Sequence, residues 1–204
     1  MSDSRDHHHE ALQALGRVAA EGSEADGPEE ALWCVTRALP ALLGDPAAAL
    51  RPHAYREAEP PQISGAAVAF MRSPDGRHHL NLAPVNFLPG QHHELIDIAL
   101  GHPAWVARTR RPLLLADTTL HPAFVKILQT FRAGSSVFAP ILWRGDYLGV
   151  LICANAARGT FGERDLATHG AFANLAAALW MAHDGPAWLA ALDLLALPVR
   201  ESGT

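Results

Sequence analysis

The nine residues YLGVLICAN, 147–155, contain almost no polar side chain. They follow a second apolar run, 136–143, across a tight Arg-Gly-Asp turn at 144–146. A strand with one solvated face alternates polar and apolar residues; one without alternation must be covered on both faces. Whatever this chain folds into must therefore bring one layer to each side of that strand.

The flanking sequence supplies candidates for both layers. A first hairpin is expected at 66–72 and 78–83 around Pro74-Asp75-Gly76. Residues 93–100 suggest a third strand and 112–117 a short one ended by Asp117. Pro28 opens a helix with Glu29 and Glu30 in its first turn and Leu32, Val35, Leu39 and Leu43 on one face. Pro40 should kink or end it. A longer helix after Glu163 carries Phe172, Leu175, Ala176, Leu179, Trp180 and His183 on one stripe. A short helix is expected within 101–112, another over 121–132, and a last helical piece over 187–197. Hairpins separated by helices predict an α+β domain with a mostly antiparallel sheet. The terminal helices would stack on one face, and 84–132 would cover the other.

The expected organisation is a polar leader with a short helix at 1–27, a domain at 28–184, and a C-terminal helical extension and tail at 185–204. A hydrophobic share of 49% and a charged share of 18% fit a globular chain able to bury a real core. The net charge of -5 and the absence of a Lys/Arg block give no footprint for nucleic acid. No apolar run reaches a membrane span, and the N-terminus has no hydrophobic signal region, so the expectation is a cytoplasmic protein. The two cysteines, Cys34 and Cys153, read as buried free thiols rather than a disulfide or metal framework.

Residues 101–124, GHPAWVARTRRPLLLADTTLHPAF, followed by SSVFAPILWRGDYLGVLICANAARGTFGERDL, resemble the GAF domain family. Ser136, Pro140, Gly145, Leu148, Gly149, Val150, Asn155, Phe161 and Asp165 stand in that family's order and spacing. Thr109-Arg110-Arg111-Pro112 departs only at the usual glycine. The resemblance covers about residues 30–184. It implies a ligand pocket between the sheet and the 84–132 cover. The physics of single positions agrees: Gly145 suits a hairpin turn, and Gly149 suits close approach of a helix or pocket wall to the central strand.

Under that resemblance the pocket candidates are His92, His93, His102, Asp117, His121, Ser135, Ser136 and Cys153, with Trp105, Phe124 and Phe138 as apolar lining. Asp117 also has a purely structural role open to it, capping the turn that follows. Of adjacent His78 and His79, only one can face the pocket. Imidazole and carboxylate donors make iron, zinc or haem the groups to expect if a cofactor is bound, with His92, His102 and His121 as ligands. The family includes reductases of free methionine sulfoxide that use cysteines in the pocket cover. This chain has none there, which argues against that chemistry and against an enzyme. The expected function is a small-molecule-sensing regulatory domain, with a gas or redox sensor and a collapsed dimerisation module as alternatives. Its partners would be a ligand, a separate output protein, and a second copy meeting it through the terminal helices.

Overall fold

The computed structural model describes residues 2–56 and 60–200, with side chains from residue 7 onward. Two helices open the chain, α1 (Ser2–Ser23) and α2 (Pro28–Leu42). Strands β1 (Gly65–Arg72), β2 (His78–Val85) and β3 (Leu95–Asp97) follow, then α3 (Gly101–Thr109) and β4 (Leu113–Leu115). The hairpin β5 (Ser135–Trp143) and β6 (Asp146–Asn155) leads into α4 (Glu163–Ala182), α5 (Gly185–Ala190) and β7 (Val199–Arg200). The seven strands form one sheet in the order β4-β5-β6-β1-β2-β3-β7, antiparallel except for the β3–β7 pair.

The apolar strand of the opening lies inside this sheet as β6, with β5 on one side and β1 on the other. Its two faces feed two cores. Leu151 and Cys153 join Leu32, Val35 and Leu39 of α2 and Phe172, Ala176 and Trp180 of α4. Val150 and Ile152 point the other way, to Val68, Phe70, Phe138, Val106 of α3 and Ile127. α2 and α4 thus share one face of the sheet, as the two apolar stripes predict.

The β5–β6 turn sits one residue earlier than the Gly-Asp pair suggests. Arg144 and Gly145 both have positive φ, 50° and 88°, and Asp146 is already in the strand. Two consecutive left-handed residues are the geometry that follows a right-twisted hairpin. Gly149 meets neither a helix nor a pocket wall. A Cβ there would lie 2.3 Å from the Phe70 carbonyl of the neighbouring strand, beside a register shift between Ile141 and Leu142.

Asp165 organises the start of α4. One carboxylate oxygen accepts the Gly162 N–H at 2.9 Å and the other accepts the Gly44 N–H at 2.9 Å. It therefore caps α4 and pins the end of α2 to it.

Three elements differ from expectation. Residues 121–132 are not a helix but an irregular cover. Phe124, Ile127, Leu128 and Phe131 have helical spacing, yet side chains from elsewhere take the backbone groups a helix would use. Gln91 donates to the Ile127 carbonyl at 2.9 Å and accepts from the Gln129 N–H at 3.1 Å, while Arg200 donates to the same Ile127 carbonyl at 2.6 Å. The C-terminal helical piece stops at Ala190, and after a short 3-10 turn the chain adds β7 beside β3. A buried ion pair, Arg200 Nε to Glu94 Oε1 at 2.9 Å, holds that edge. At the other end α1 is longer than its short apolar pattern, burying Ala11, Ala14 and Val18.

The α4 stripe is filled within the chain. Phe172, Ala176, Leu179 and Trp180 are buried, Trp188 of α5 stacks edge-on against Trp180, and the His183 ring N–H donates to the Gly22 carbonyl of α1 at 2.8 Å. Among the described residues no helix is long and apolar enough to cross a membrane.

Candidate ligand pocket

On the sheet face opposite α2 and α4, small residues leave room. Ala66, Ala67 and Val68 of β1, Ser136 and Phe138 of β5, and Ile152 and Ala154 of β6 form a floor. His102 and Pro103 of α3, Phe87, and Phe124, Ile127, Leu128 and Ala133 of the cover form the roof. The space between them is about 50 Å³ and is partly open to solvent. That is a third of the ~150 Å³ that accepts a benzene in a dry apolar cavity. A haem does not fit unless the roof moves.

His102 is the polar feature of this roof. It lies in the first turn of α3, with Phe124, Phe138 and His121 ring centroids at 5.6, 6.2 and 5.7 Å. Its Nδ1 is buried without a hydrogen-bond partner. Burial, and secondarily the His121 charge, hold its pKa below the ordinary histidine value, so the ring is neutral at pH 7. A neutral imidazole nitrogen can accept from, or donate to, one polar group of a ligand. On its outer side His102 also lines a groove with Trp105, His121, Leu113 and Leu115.

Four candidates line this cavity: His102, Phe124, Ser136 and Phe138. Trp105 and His121 belong to the outer groove. Asp117 has its structural role, accepting from the Thr119 N–H at 2.9 Å and hydroxyl at 2.6 Å. Partial burial raises its pKa, but these two bonds and Arg158 outweigh that and hold the carboxyl low. Ser135 points away by strand alternation, accepting from the Phe161 N–H at 3.3 Å. Cys153 also points away, paired in register with Val137 in the helix-side core. Burial pushes its thiol far up, and Cys34 on α2 is raised for the same reason. Replacing Cys153 by Ser is expected to cost about 1–3 kcal/mol, read by denaturant unfolding, because it buries a hydroxyl in an apolar core.

The expected metal triad does not assemble. His92 lies on the helix side of the sheet, against Glu29 and Trp33 of α2, while His102 and His121 adjoin on the other. His93 goes with His92. The cause is the β2–β3 connection, whose Phe87 joins the roof while His92 and His93 turn to the helix side and meet Glu29.

Sequence reasoning did not reach the pocket alanines, which carry no chemical signature, nor a buried pair beneath the roof. There the His79 Nε2 and Tyr147 hydroxyl are 2.8 Å apart, with Phe70 stacked on His79. Of the two adjacent histidines it is His79 that faces the cover side. Asn81, two residues on, is fully buried with neither side-chain amide atom partnered.

An antiparallel sheet with a helical layer behind and a loop-roofed cavity in front defines an α+β pocket domain. The GAF domain model matches residues 27–180, and the chain belongs to the GAF domain family. Solved structures agree on the fold. The GAF domain of a Coxiella burnetii phosphoenolpyruvate-protein phosphotransferase superposes with a TM-score of 0.68 at 23% identity, covering 87% of this chain and 96% of that one. The corresponding Acinetobacter domain gives 0.67 at 14%, covering 85% and 94%. A free methionine-R-sulfoxide reductase from Neisseria meningitidis, in complex with its substrate, gives 0.62 at 12%, covering 86% and 91%. Among curated proteins none matches the chain significantly.

Proposed function

We propose that this GAF domain is a non-catalytic sensor that binds a small, mostly apolar molecule carrying one hydrogen-bonding group. The observation that carries this reading is the unpartnered nitrogen of His102, a residue that lines a mostly apolar cavity. A buried polar atom without a partner is costly, and a ligand that supplies one recovers that cost. Ser136 offers a hydroxyl on the floor below. Both cysteines lie on the helix side, and their raised pKa values keep them protonated, which supports a role without thiol chemistry. The ligand's effect passes to an output protein or a second copy through the helical layer.

Xenon and small alcohols are suitable probes of the cavity. In amide-resolved NMR both should shift resonances around Ala66, Ser136 and Ala154. Ala154→Val, which fills the space on a strand that favours β-branched residues, should abolish both responses. His102→Phe should keep the xenon response and weaken that to alcohols. Absence of any response in the unmodified protein would overturn the reading. Light scattering over a dilution series, with and without an alcohol probe, tests the second-copy route.

A further inference from the structure

We propose that Glu29, His92 and His93 form a site for a borderline divalent transition-metal ion, with zinc as the reference, on the face of the sheet away from the ligand pocket. The three residues come from two places in the chain, the first turn of α2 and the connection between β2 and β3. Adjacent residues in extended chain point to opposite sides. Here His93 adopts a left-handed backbone, φ 61°, and its ring swings to the side of His92, with centroids 4.0 Å apart. Non-glycine residues enter that region at a conformational cost. In this case the cost brings two imidazoles to one carboxylate.

The donor atoms converge. His92 Nε2 lies 2.5 Å from Glu29 Oε1, and His93 Nε2 lies 3.1 Å from Oε1 and 2.9 Å from Oε2. One donor atom from each residue falls within a common 4.8 Å, the single such group among the described residues. Bonds of ~2.0–2.1 Å in a tetrahedral site place donors about 3.3 Å apart. The histidine-to-carboxylate spacings are therefore near those of a coordination shell, and the two imidazole donors lie within 4.8 Å of each other, a gap that a shared ion requires them to narrow. Trp33 stands edge-on to His92 and Trp188 edge-on to His93, walling two sides. The side chains remain 17% (Glu29), 29% (His93) and 38% (His92) exposed, so an ion can reach them and keep water as a further ligand. Two imidazoles and one carboxylate suit zinc, iron, nickel or copper rather than calcium or magnesium, which prefer oxygen shells.

The test uses the full chain, purified without a metal column and stripped with a chelator, titrated calorimetrically with Zn²⁺. His7, His8 and His9 in α1 are a second potential zinc binder, so a His8→Ala/His9→Ala variant is titrated alongside. The expected result is one saturable equivalent, retained in that control. Binding should weaken at least tenfold in His92→Ala and in His93→Ala. Zn²⁺ in hundredfold excess over the Kd of the unmodified protein should raise its Tm by roughly 5 °C, and the same concentration should give about half that shift or less in His92→Ala. Glu29→Gln keeps the shape of the site but removes its charge and one of its two acceptor oxygens, and it should also lose at least tenfold in affinity. That variant carries the reading should an imidazole deletion disturb the fold. No saturable binding, binding indifferent to His92→Ala and Glu29→Gln, or binding lost only in the His8/His9 control would each overturn the proposal.

Discussion

Between pH 6.5 and pH 4 the protein is expected to lose a large part of its stability, and two buried histidines are the reason. His169 on α4 is fully buried with neither ring nitrogen partnered, and burial lowers its pKa to about 3. His79 is lowered to about 4, chiefly by burial and secondarily by Arg72. In the unfolded chain both titrate near 6.5. Within that window the unfolded state binds more protons than the folded one, so stability rises with pH. The contribution is fully present above pH 6.5 and lost as pH falls towards 4. Each histidine accounts for about 3 kcal/mol over that range, and the pair is comparable to the ~5–15 kcal/mol of a whole domain. Asp75, held low by the Ser73 hydroxyl, and Asp117 are lost only at lower pH, below the carboxylate range near 3.8. Denaturant unfolding across pH should therefore show a steep decline well before carboxylates protonate. His169→Leu should raise stability at pH 7 by about 1–3 kcal/mol, because it removes two unpaired buried nitrogens, and should roughly halve the acid slope. An unchanged unfolding midpoint between pH 7 and pH 5 would refute this account.

Gly149→Ala should be among the most damaging single methyls in the protein. The added Cβ would stand 2.3 Å from the Phe70 carbonyl and 3.0 Å from the Met71 Cα, both backbone atoms of β1. A flexible side chain could swing aside; a strand carbonyl in a central ladder cannot. Relief would require β6 to part from β1, and that pair carries both cores. A loss of at least about 3 kcal/mol is expected, a fall in Tm on the order of 10 °C for a chain of this size. Gly170→Ala on α4 is the matched control. Nothing lies within 4 Å of its Cβ position, and a helical alanine should add about 0.5–1 kcal/mol. Thermal unfolding of both variants checks the pair; equal and small shifts would show that β6 and β1 are less tightly docked than the geometry requires.

These positions also show what a one-dimensional reading reaches. The β5–β6 hairpin, α2 and α4 announce themselves through local pattern, because period, turn chemistry and capping residues all agree there. The 121–132 segment has a helix-like period too, but its backbone partners are Gln91 and Arg200, 36 and 73 residues from Ile127. No local rule reports such a competitor. β7 is two residues long and exists only because β3 offers it an edge. The pocket floor is made of alanines, whose meaning is the space they leave. Glu29 reads as a helix-dipole residue until the fold places it 63 and 64 residues away from its two histidines in sequence, and in contact with both.

The Ile127 carbonyl carries a consequence for affinity. It accepts two hydrogen bonds at once, from Gln91 and from the Arg200 guanidinium. Lifting the roof at that point breaks both together, about 2–4 kcal/mol when one donor is charged. On the proposed function, a ligand too large for the cavity would have to break both, and at a cost of about 3 kcal/mol it would bind about a hundredfold more weakly than its contacts alone would allow. Molecules that fit the closed space escape that penalty. On the proposed function a single backbone oxygen would thus sort ligands by size before any side chain in the pocket touches them.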